Sequence, residues 1–434
     1  MIRFFYNLLF PIGLLLFLPG YVLKLVRRGN YKAKFGERLG IYAASTRARL
    51  AQRQSIWMHA VSVGEVRVAL KLAAEMKRLE PELFCILTTT TTTGMQIATK
   101  QKHDWIEVIY TPIDFWPVMR RAFAVIRPRR IVLIEAEVWP NMVALARRKG
   151  IPIALVNARL SRRSERRFQH FQSLIRSMFA ALDLVCVQER EDLQRFAALG
   201  VRPERIQLTG SVKFDPVGSA IQSHDHTPTA SDNGDTPRGA VLFGGSTHRG
   251  EEEILGRVLL QLRPDFPNLT LFVAPRHTER VREVCTELRA LSLVVRLASE
   301  LPSRSDDRYD CVVLDTTGAL SSWYRCATVV FVGKSLTARG GQNPVEPILA
   351  AKPVLFGPHM ENFSTLAKAL VARNAAVQVA DVESLSGAVA MLLQDPETRL
   401  MLVRNAQEVL APHRGATQRT AELLRGLRVT VAAR

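Results

Sequence analysis

Trp57-Met-His-Ala-Val-Ser-Val-Gly-Glu65 is a short apolar run that turns, through Ser62 and Gly64, into a carboxylate at the head of a long amphipathic stretch. That is how a parallel strand feeds its crossover helix, and open α/β sheets keep their chemistry at such strand ends. Glu65 has two readings here. Its charge suits a helix first turn, where the macrodipole favours it by about 0.3–1 kcal/mol, and the same place suits a catalytic carboxylate. The spacing leaves both open.

Outward from this stretch, β-rich apolar runs alternate with helical patterns, as in parallel sheets wrapped by helices. In the first half the strands expected are 55–61, 83–88, 106–110, 130–135, 151–157, 184–187 and 206–209. Residues 215–239 break the rhythm with a polar, Pro/Gly/Ser-containing segment that reads as a linker. Within it His224-Asp-His226 has three ligand-type side chains but nothing nearby to complete a four-ligand metal site, so a solvated linker is the better reading. The alternation restarts at 240–244 and continues through 269–274, 311–315, 328–332, 353–356 and 376–379. The chain therefore divides into residues 1–26, a first α/β domain at 27–214, the linker, and a second α/β domain at 240–434 whose last helix is free to pack back on the first. Two such domains facing each other would set their strand ends on a shared cleft.

The 434 residues, 47% hydrophobic and 23% charged, suffice for two cores and exclude a mainly disordered chain. Five scattered cysteines without a C-x-x-C pair read as buried free thiols of a reducing compartment. The net charge of +19, with a pI near 10.3, fits nucleic acid, an anionic membrane surface or a phosphorylated substrate. No nucleic-acid-binding module accompanies the basic residues. Phe4 to Val26 is almost continuously apolar and long enough to span or embed in a bilayer. Lys24 near its end, and Arg27, Arg28, Lys32, Lys34 and Arg38 after it, predict an uncleaved N-terminal anchor with the body on the cytoplasmic side. Pro11 and Pro19 leave open a kinked or half-embedded helix.

Neither G-x-G-x-x-G nor a P-loop occurs, which argues against dinucleotide and P-loop NTPase chemistry. The strand ends of the second domain instead carry Gly244-Gly-Ser-Thr-His248, Pro275-Arg-His277, Asp315-Thr-Thr-Gly318 and Gly333-Lys-Ser335. Ser246 and Thr247 before Glu251, Glu252 and Glu253 read equally as a helix cap and as a phosphate cradle. Arg276 brings a guanidinium suited to bidentate contact with phosphate or carboxylate. In Gly340-Gly-Gln-Asn-Pro-Val-Glu-Pro347 the glycines allow close approach to a ligand, and Pro344 opens a helix whose Glu346 can accept hydrogen bonds from a sugar hydroxyl.

Taken together, His59-Ala-x-Ser-x-Gly-Glu65, Glu135-x-Glu-x-Trp-Pro140, Asn157-Ala-Arg-Leu-Ser161, Gly210-x-x-Lys-Phe-Asp215, Ser246-Thr-His248, Pro275-Arg-His277 and Gly340-Gly-x-Asn-Pro-x-Glu346 resemble the 3-deoxy-D-manno-octulosonic acid (Kdo) transferases of Gram-negative bacteria. The resemblance runs over essentially the whole chain. It implies an α/β protein of the GT-B glycosyltransferase type, with two Rossmann-like domains facing a central cleft and an N-terminal anchor in the inner membrane. It also implies inverting transfer of Kdo from CMP-Kdo to the lipid A precursor (lipid IVA) in lipopolysaccharide core biosynthesis, at the cytoplasmic face. No metal or cofactor is implied, CMP-Kdo being a co-substrate.

By position, the resemblance makes Glu65 the general base and gives Glu135 and Lys213 the support of the transition state. It assigns CMP to Pro275, Arg276, Thr317, Gly318, Ala319, Asn343, Pro344, Val345 and Glu346, with Ser246, Thr247 and Gly341 as further phosphate or sugar contacts. Arg159, Arg162 and Arg163 become acceptor contacts, and the cluster that continues to Arg166 and Arg167 reads either as an anion-facing patch or as the solvated side of a helix. One departure stands out: the family usually has Gly-Glu after Asp315, where this chain has Gly318-Ala319. A GT-B enzyme using another nucleotide sugar, and a non-catalytic lipid-A-binding protein, are the competing functions.

Overall fold

The computed structural model describes residues 6–10, 34–51, 53–160, 172–215, 239–303, 308–316 and 320–428. It divides into two units, Met1–Asp215 with His413–Arg434, and Pro216–Pro412.

The first unit is built on seven strands: β1 (Ser55–Ala60), β2 (Cys85–Thr89), β3 (Ile106–Tyr110), β4 (Pro128–Ile134), β5 (Ile153–Ala158), β6 (Leu184–Val187) and β7 (Ile206–Leu208). They form one parallel sheet in the order β3-β2-β1-β4-β5-β6-β7. Both faces are covered, which explains the unbroken apolar runs. Trp57 enters the core on one side of β1, while Ile56, Met58 and Ala60 enter the core on the other. The strand order reverses between β1 and β4, so the loops leaving those two strands flank a topological switch point. The run from Thr88 to Thr93 resolves into the end of β2 and a helix N-cap at Thr91, whose hydroxyl accepts the Gly94 N–H at 3.0 Å.

The second unit carries β8 (Val241–Thr247), β9 (Thr270–Pro275), β10 (Val295–Leu297), β11 (Cys311–Val313), β12 (Val329–Val332), β13 (Val354–Phe356) and β14 (Val377–Gln378). They too form one parallel sheet, ordered β10-β11-β9-β8-β12-β13-β14, with its switch point between β8 and β12. The short edge strand β10 has no counterpart in the sequence reading, because three residues with one fully apolar pair carry no periodic signal.

Helix α1 (Val63–Leu79) follows β1, α2 (Glu251–Leu262) follows β8, α3 (Val345–Leu349) follows the Gly340-Gly341 loop, and α4 (Ala416–Gly426) closes the described chain. Helix α4 lies on α1 in the first unit, where Ala421 and Leu424 are fully buried. Asp215 clamps its start: the carboxylate accepts the N–H groups of Gly415 at 2.9 Å and Thr417 at 2.7 Å. Arg419 donates to the Thr209 carbonyl at 2.7 Å, and Arg130 reaches the Leu424 carbonyl.

All five cysteines are free, four of them buried. Of the apolar N-terminal stretch only residues 6–10 are described; there Asn7 and Asn141 exchange amide hydrogen bonds at 2.9 and 3.0 Å, and Phe10 stacks on Phe115. The remainder of that stretch, the linker from 216 to 238 with its His-Asp-His, and Arg162, Arg163, Arg166 and Arg167 lie outside the described residues. Among the described residues no helix is long and apolar enough to cross a membrane, and no group of three His, Cys, Asp or Glu is placed to hold a metal.

Candidate active site

At the switch point of the first unit, Ser62 caps α1 and its hydroxyl accepts the Glu65 N–H at 3.3 Å. The Glu65 carboxylate returns to the strand end, accepting the N–H of Val61 at 2.8 Å and that of Ser62 at 3.3 Å. This is a full capping box, so the local reading of Glu65 is realised in the structure. It also fixes the carboxylate, which is 8% exposed, at the carboxyl end of β1.

Across the switch point, Glu135 leaves β4 with φ of 63°, a left-handed conformation uncommon for a residue with a side chain. No hydrogen bond or ion pair to another described residue satisfies the carboxylates of Glu135 or Glu137. Burial raises the Glu135 pKa and Glu65 raises it further, against the opposing pull of Lys213 and Arg159. Burial, then Glu65 and Glu135, push Glu137 up to about 7. Lys213 is held below the ordinary lysine range by burial, opposed by Glu135 and reinforced by Arg159 and Arg67. Glu65, Glu135, Glu137, Lys213 and Arg159 therefore form one electrostatically coupled group. Glu137 is the member missed as a site residue: its motif is visible in the sequence, but the shared burial of three carboxylates is not.

The loop bearing Lys213 is set by Asn157, itself at φ of 52°. The Asn157 amide oxygen accepts the Val212 N–H at 3.0 Å and the Ser211 hydroxyl at 3.4 Å. His59, for all its place in the motif, is fully buried, and its Nδ1 lies 3.0 Å from the Thr88 hydroxyl and 3.3 Å from that of Thr111. Burial pushes its pKa down to about 4, so it is a neutral part of the sheet interior. Arg159 is exposed beside the acidic group.

In the second unit, β8 runs on through Ser246, at φ of 54°, to buried Thr247. Of the two readings of this turn, the Ser/Thr cap on α2 is not formed. Gly250, at φ of 86°, holds the cap position, and extension of β8 by a parallel pairing with β9 takes up the residues that would have capped. The acids of the first turn do something else. Glu251, fully buried, accepts the N–H groups of His248 at 2.8 Å, Lys334 at 2.7 Å, Ser335 at 2.9 Å and Leu336 at 3.1 Å. Glu252, also fully buried, pairs with Arg280 at 2.7 Å.

These contacts fix the strand ends that carry the candidate ligand groups. Pro275 ends β9, and the Arg276 N–H donates to the Thr247 carbonyl at 3.0 Å, leaving the Arg276 side chain exposed. Pro344 stands at the N-cap of α3, Val345 is buried, and Asn343 spans the turn, accepting the Val345 N–H at 3.1 Å and donating to Glu346 at 3.3 Å. Burial raises the Glu346 pKa, countered by Asn343 and by the charge of Arg276, so Glu346, Asn343 and Arg276 share one site. Gly341, at φ of 68°, has no room for a side chain: a Cβ there would lie 2.5 Å from the Met360 sulfur. Thr317, Gly318 and Ala319 lie outside the described residues.

A sheet of this kind, with coupled carboxylates at one switch point and an arginine, an amide and a carboxylate at the other, defines a two-unit parallel α/β enzyme. Residues 33–216 match the family model described as 3-deoxy-D-manno-octulosonic-acid transferase (kdotransferase). The chain is 32% identical over 432 residues to the 3-deoxy-D-manno-octulosonic acid transferase of Haemophilus influenzae, covering 98% of each chain. It is 33% identical over 400 residues to that of Bordetella pertussis, covering 90% of each. In fold it is similar to the UDP-GlcNAc 2-epimerase of Neisseria meningitidis, with a TM-score of 0.54 at 11% identity, covering 86% of this chain and all of that one. The protein belongs to the 3-deoxy-D-manno-octulosonic acid transferase family and is a Kdo-transferring glycosyltransferase.

Proposed function

We propose that the protein transfers Kdo from CMP-Kdo to the lipid A precursor, lipid IVA, with inversion at the anomeric carbon, as part of lipopolysaccharide core biosynthesis. The observation that carries this reading is the coupled group of Glu65, Glu135 and Lys213 at the switch point of the first unit. In a single displacement Glu65 takes the proton of the acceptor hydroxyl, and the freed oxygen bonds to the anomeric carbon. The bond from that carbon to phosphate breaks, and CMP leaves with the electron pair. Glu135 and Lys213 stabilise the charge that develops. The GT-B arrangement of the two units belongs to the same proposal.

The donor is assigned to the second unit. Arg276, unneutralised by any close ion pair among the described residues, suits the phosphate; Asn343 and Glu346 suit ribose or sugar hydroxyls. Pro275, Pro344, Val345, Thr317, Gly318 and Ala319 complete the CMP site in this proposal, with Ser246, Thr247 and Gly341 beside the phosphate or sugar. Cationic side chains and backbone N–H groups supply the charge, with no resident metal or cofactor. Arg159, Arg162 and Arg163 are assigned to the acceptor phosphates, and residues 1–26 to an anchor at the cytoplasmic face of the inner membrane.

The test is to incubate the purified protein with CMP-Kdo and a tetra-acylated lipid A precursor, read the products by mass spectrometry, and repeat with Glu65→Ala and with a UDP-sugar in place of CMP-Kdo. Addition of Kdo, about 10²–10⁴-fold slower in the variant, is expected. Transfer from the UDP-sugar alone, or none at all, refutes the assignment.

A further inference from the structure

We propose that His413, where the chain returns to the first unit, is a positioning residue for Lys213: it seats the loop that carries Lys213, and so sets where the ammonium stands. This rests on the reading of Lys213 given above. After β7 the chain turns at Gly210, with φ of 82°, and Lys213 comes between Ser211 and Phe214, both of which touch His413.

The first contact is a hydrogen bond. The Ser211 N–H donates to His413 Nδ1 at 3.1 Å. An N–H only donates, so Nδ1 accepts, and the hydrogen of the ring is on Nε2, which lies 3.7 Å from a Glu189 carboxylate oxygen. Burial pushes the His413 pKa down to about 4, so the ring is neutral and Nδ1 keeps the lone pair that the bond needs. The second contact is a ring pair, His413 against Phe214 with centroids 5.4 Å apart. Lys213 Nζ lies 5.9 Å from the centroid of that same Phe214 ring. At 4% exposure His413 offers no surface to a substrate, so its route to the chemistry runs through this loop.

Other groups fasten the rest of the loop, which separates their part from that of His413. Asn157 takes the Val212 N–H, and Lys71 of α1 donates to the carbonyls of Val212 and Asp215. None of these meets the Phe214 ring, the aromatic surface beside the ammonium. A lysine is a point charge on a flexible four-carbon stem, so its place depends on the backbone and the surface that seat it. The charge of Lys213 acts on Glu135, and a shift of about 1 Å in a group so placed can cost about a hundredfold in rate.

The experiment is a double-mutant cycle on the full-length protein, with Kdo transfer measured well below the melting temperature of each variant. His413→Leu keeps the bulk and removes the acceptor; we expect kcat to fall about 10–100-fold and the KM for CMP-Kdo to stay within about twofold. His413→Asn, whose Oδ1 stands where Nδ1 stood, recovers most of the rate. In a Lys213→Ala background, His413→Leu slows transfer by less than about twofold more, because the group it acts through is already gone. Phe214→Leu, which removes the ring and leaves no donor unpaired, goes through the same cycle with the same expectation. Equal slowing with and without Lys213, an unchanged kcat in His413→Leu, or no recovery in His413→Asn overturns the positioning role. If Lys213→Ala alone transfers Kdo as fast as wild type, the reading of Lys213 falls, and the role of His413 with it.

Discussion

At the scale of single residues, the acidic group of the first unit divides its labour by hydrogen bonding. Glu65 gives both oxygens to backbone N–H groups, whereas Glu137 gives its oxygens to no described residue. Glu65→Gln keeps an acceptor for the cap but cannot take a proton, so it should lose activity as severely as Glu65→Ala. It should keep the stability that Ala forfeits, about 1 kcal/mol, which a melting curve on each variant checks. Glu137 has the opposite signature. Its folded pKa of about 7 lies above the ordinary 4.5, so its contribution to stability is complete below the ordinary value and is lost as the pH rises through about 7. Glu137→Gln removes that loss. The variant should be more stable than wild type at pH 8, by about 2 kcal/mol at most given its partial exposure, and indistinguishable near pH 4.5. A gain of equal size at both pH values would refute the electrostatic account. Carboxylates held at such cost are what a site kept for function, rather than for stability, contains.

At the scale of elements, the second sheet depends on one buried acid. Glu251 starts α2 and ties β8 to the loop after β12 through four N–H donors, so Glu251→Ala leaves those donors without a partner inside the protein. A loss on the order of 4 kcal/mol is expected, with CMP affinity falling because the His248 and Lys334 backbones are released; calorimetry and CMP titration read the two. Gly333 is as intolerant, since a Cβ there would sit 2.4 Å from the Ser246 carbonyl oxygen. Much of this level is legible beforehand. Apolar runs of four to seven residues ending in Gly, Ser or Pro locate most strands and put the candidate groups at their carboxyl ends. What escapes is long-range pairing: an acid at a helix start looks like a cap whether its partners are all local, as for Glu65, or include a loop 83 to 85 residues away, as for Glu251. Positive φ at Glu135, Asn157 and Ser246 escapes too, because those side chains carry no glycine to announce it.

At the scale of the whole molecule, the chain leaves the first unit at Asp215 and returns to it at His413. The amphipathic pattern of α4 shows that one face of it is buried, but no local signal names the surface that buries it. Deleting residues 413–434 should strip the cover from α1 and the clamp from Asp215. The expectation is a downward shift of about 5 °C or more in the transition of the first unit, with that of the second unit nearly unmoved. Differential scanning calorimetry of the truncated protein against the full chain tests this, and a joint shift of both transitions would refute it.

The return of α4 also bears on how the protein is made. At about 5–20 residues per second, the ribosome needs roughly 10–40 s to pass from Asp215 to His413, and all that time the apolar face of α1 has no cover. The unit that begins first is completed only after the second has been made. During synthesis the nascent chain thus carries an incomplete first half beside a second half able to close by itself. A stop codon placed before His413 would spare the half made later and leave the half made earlier open.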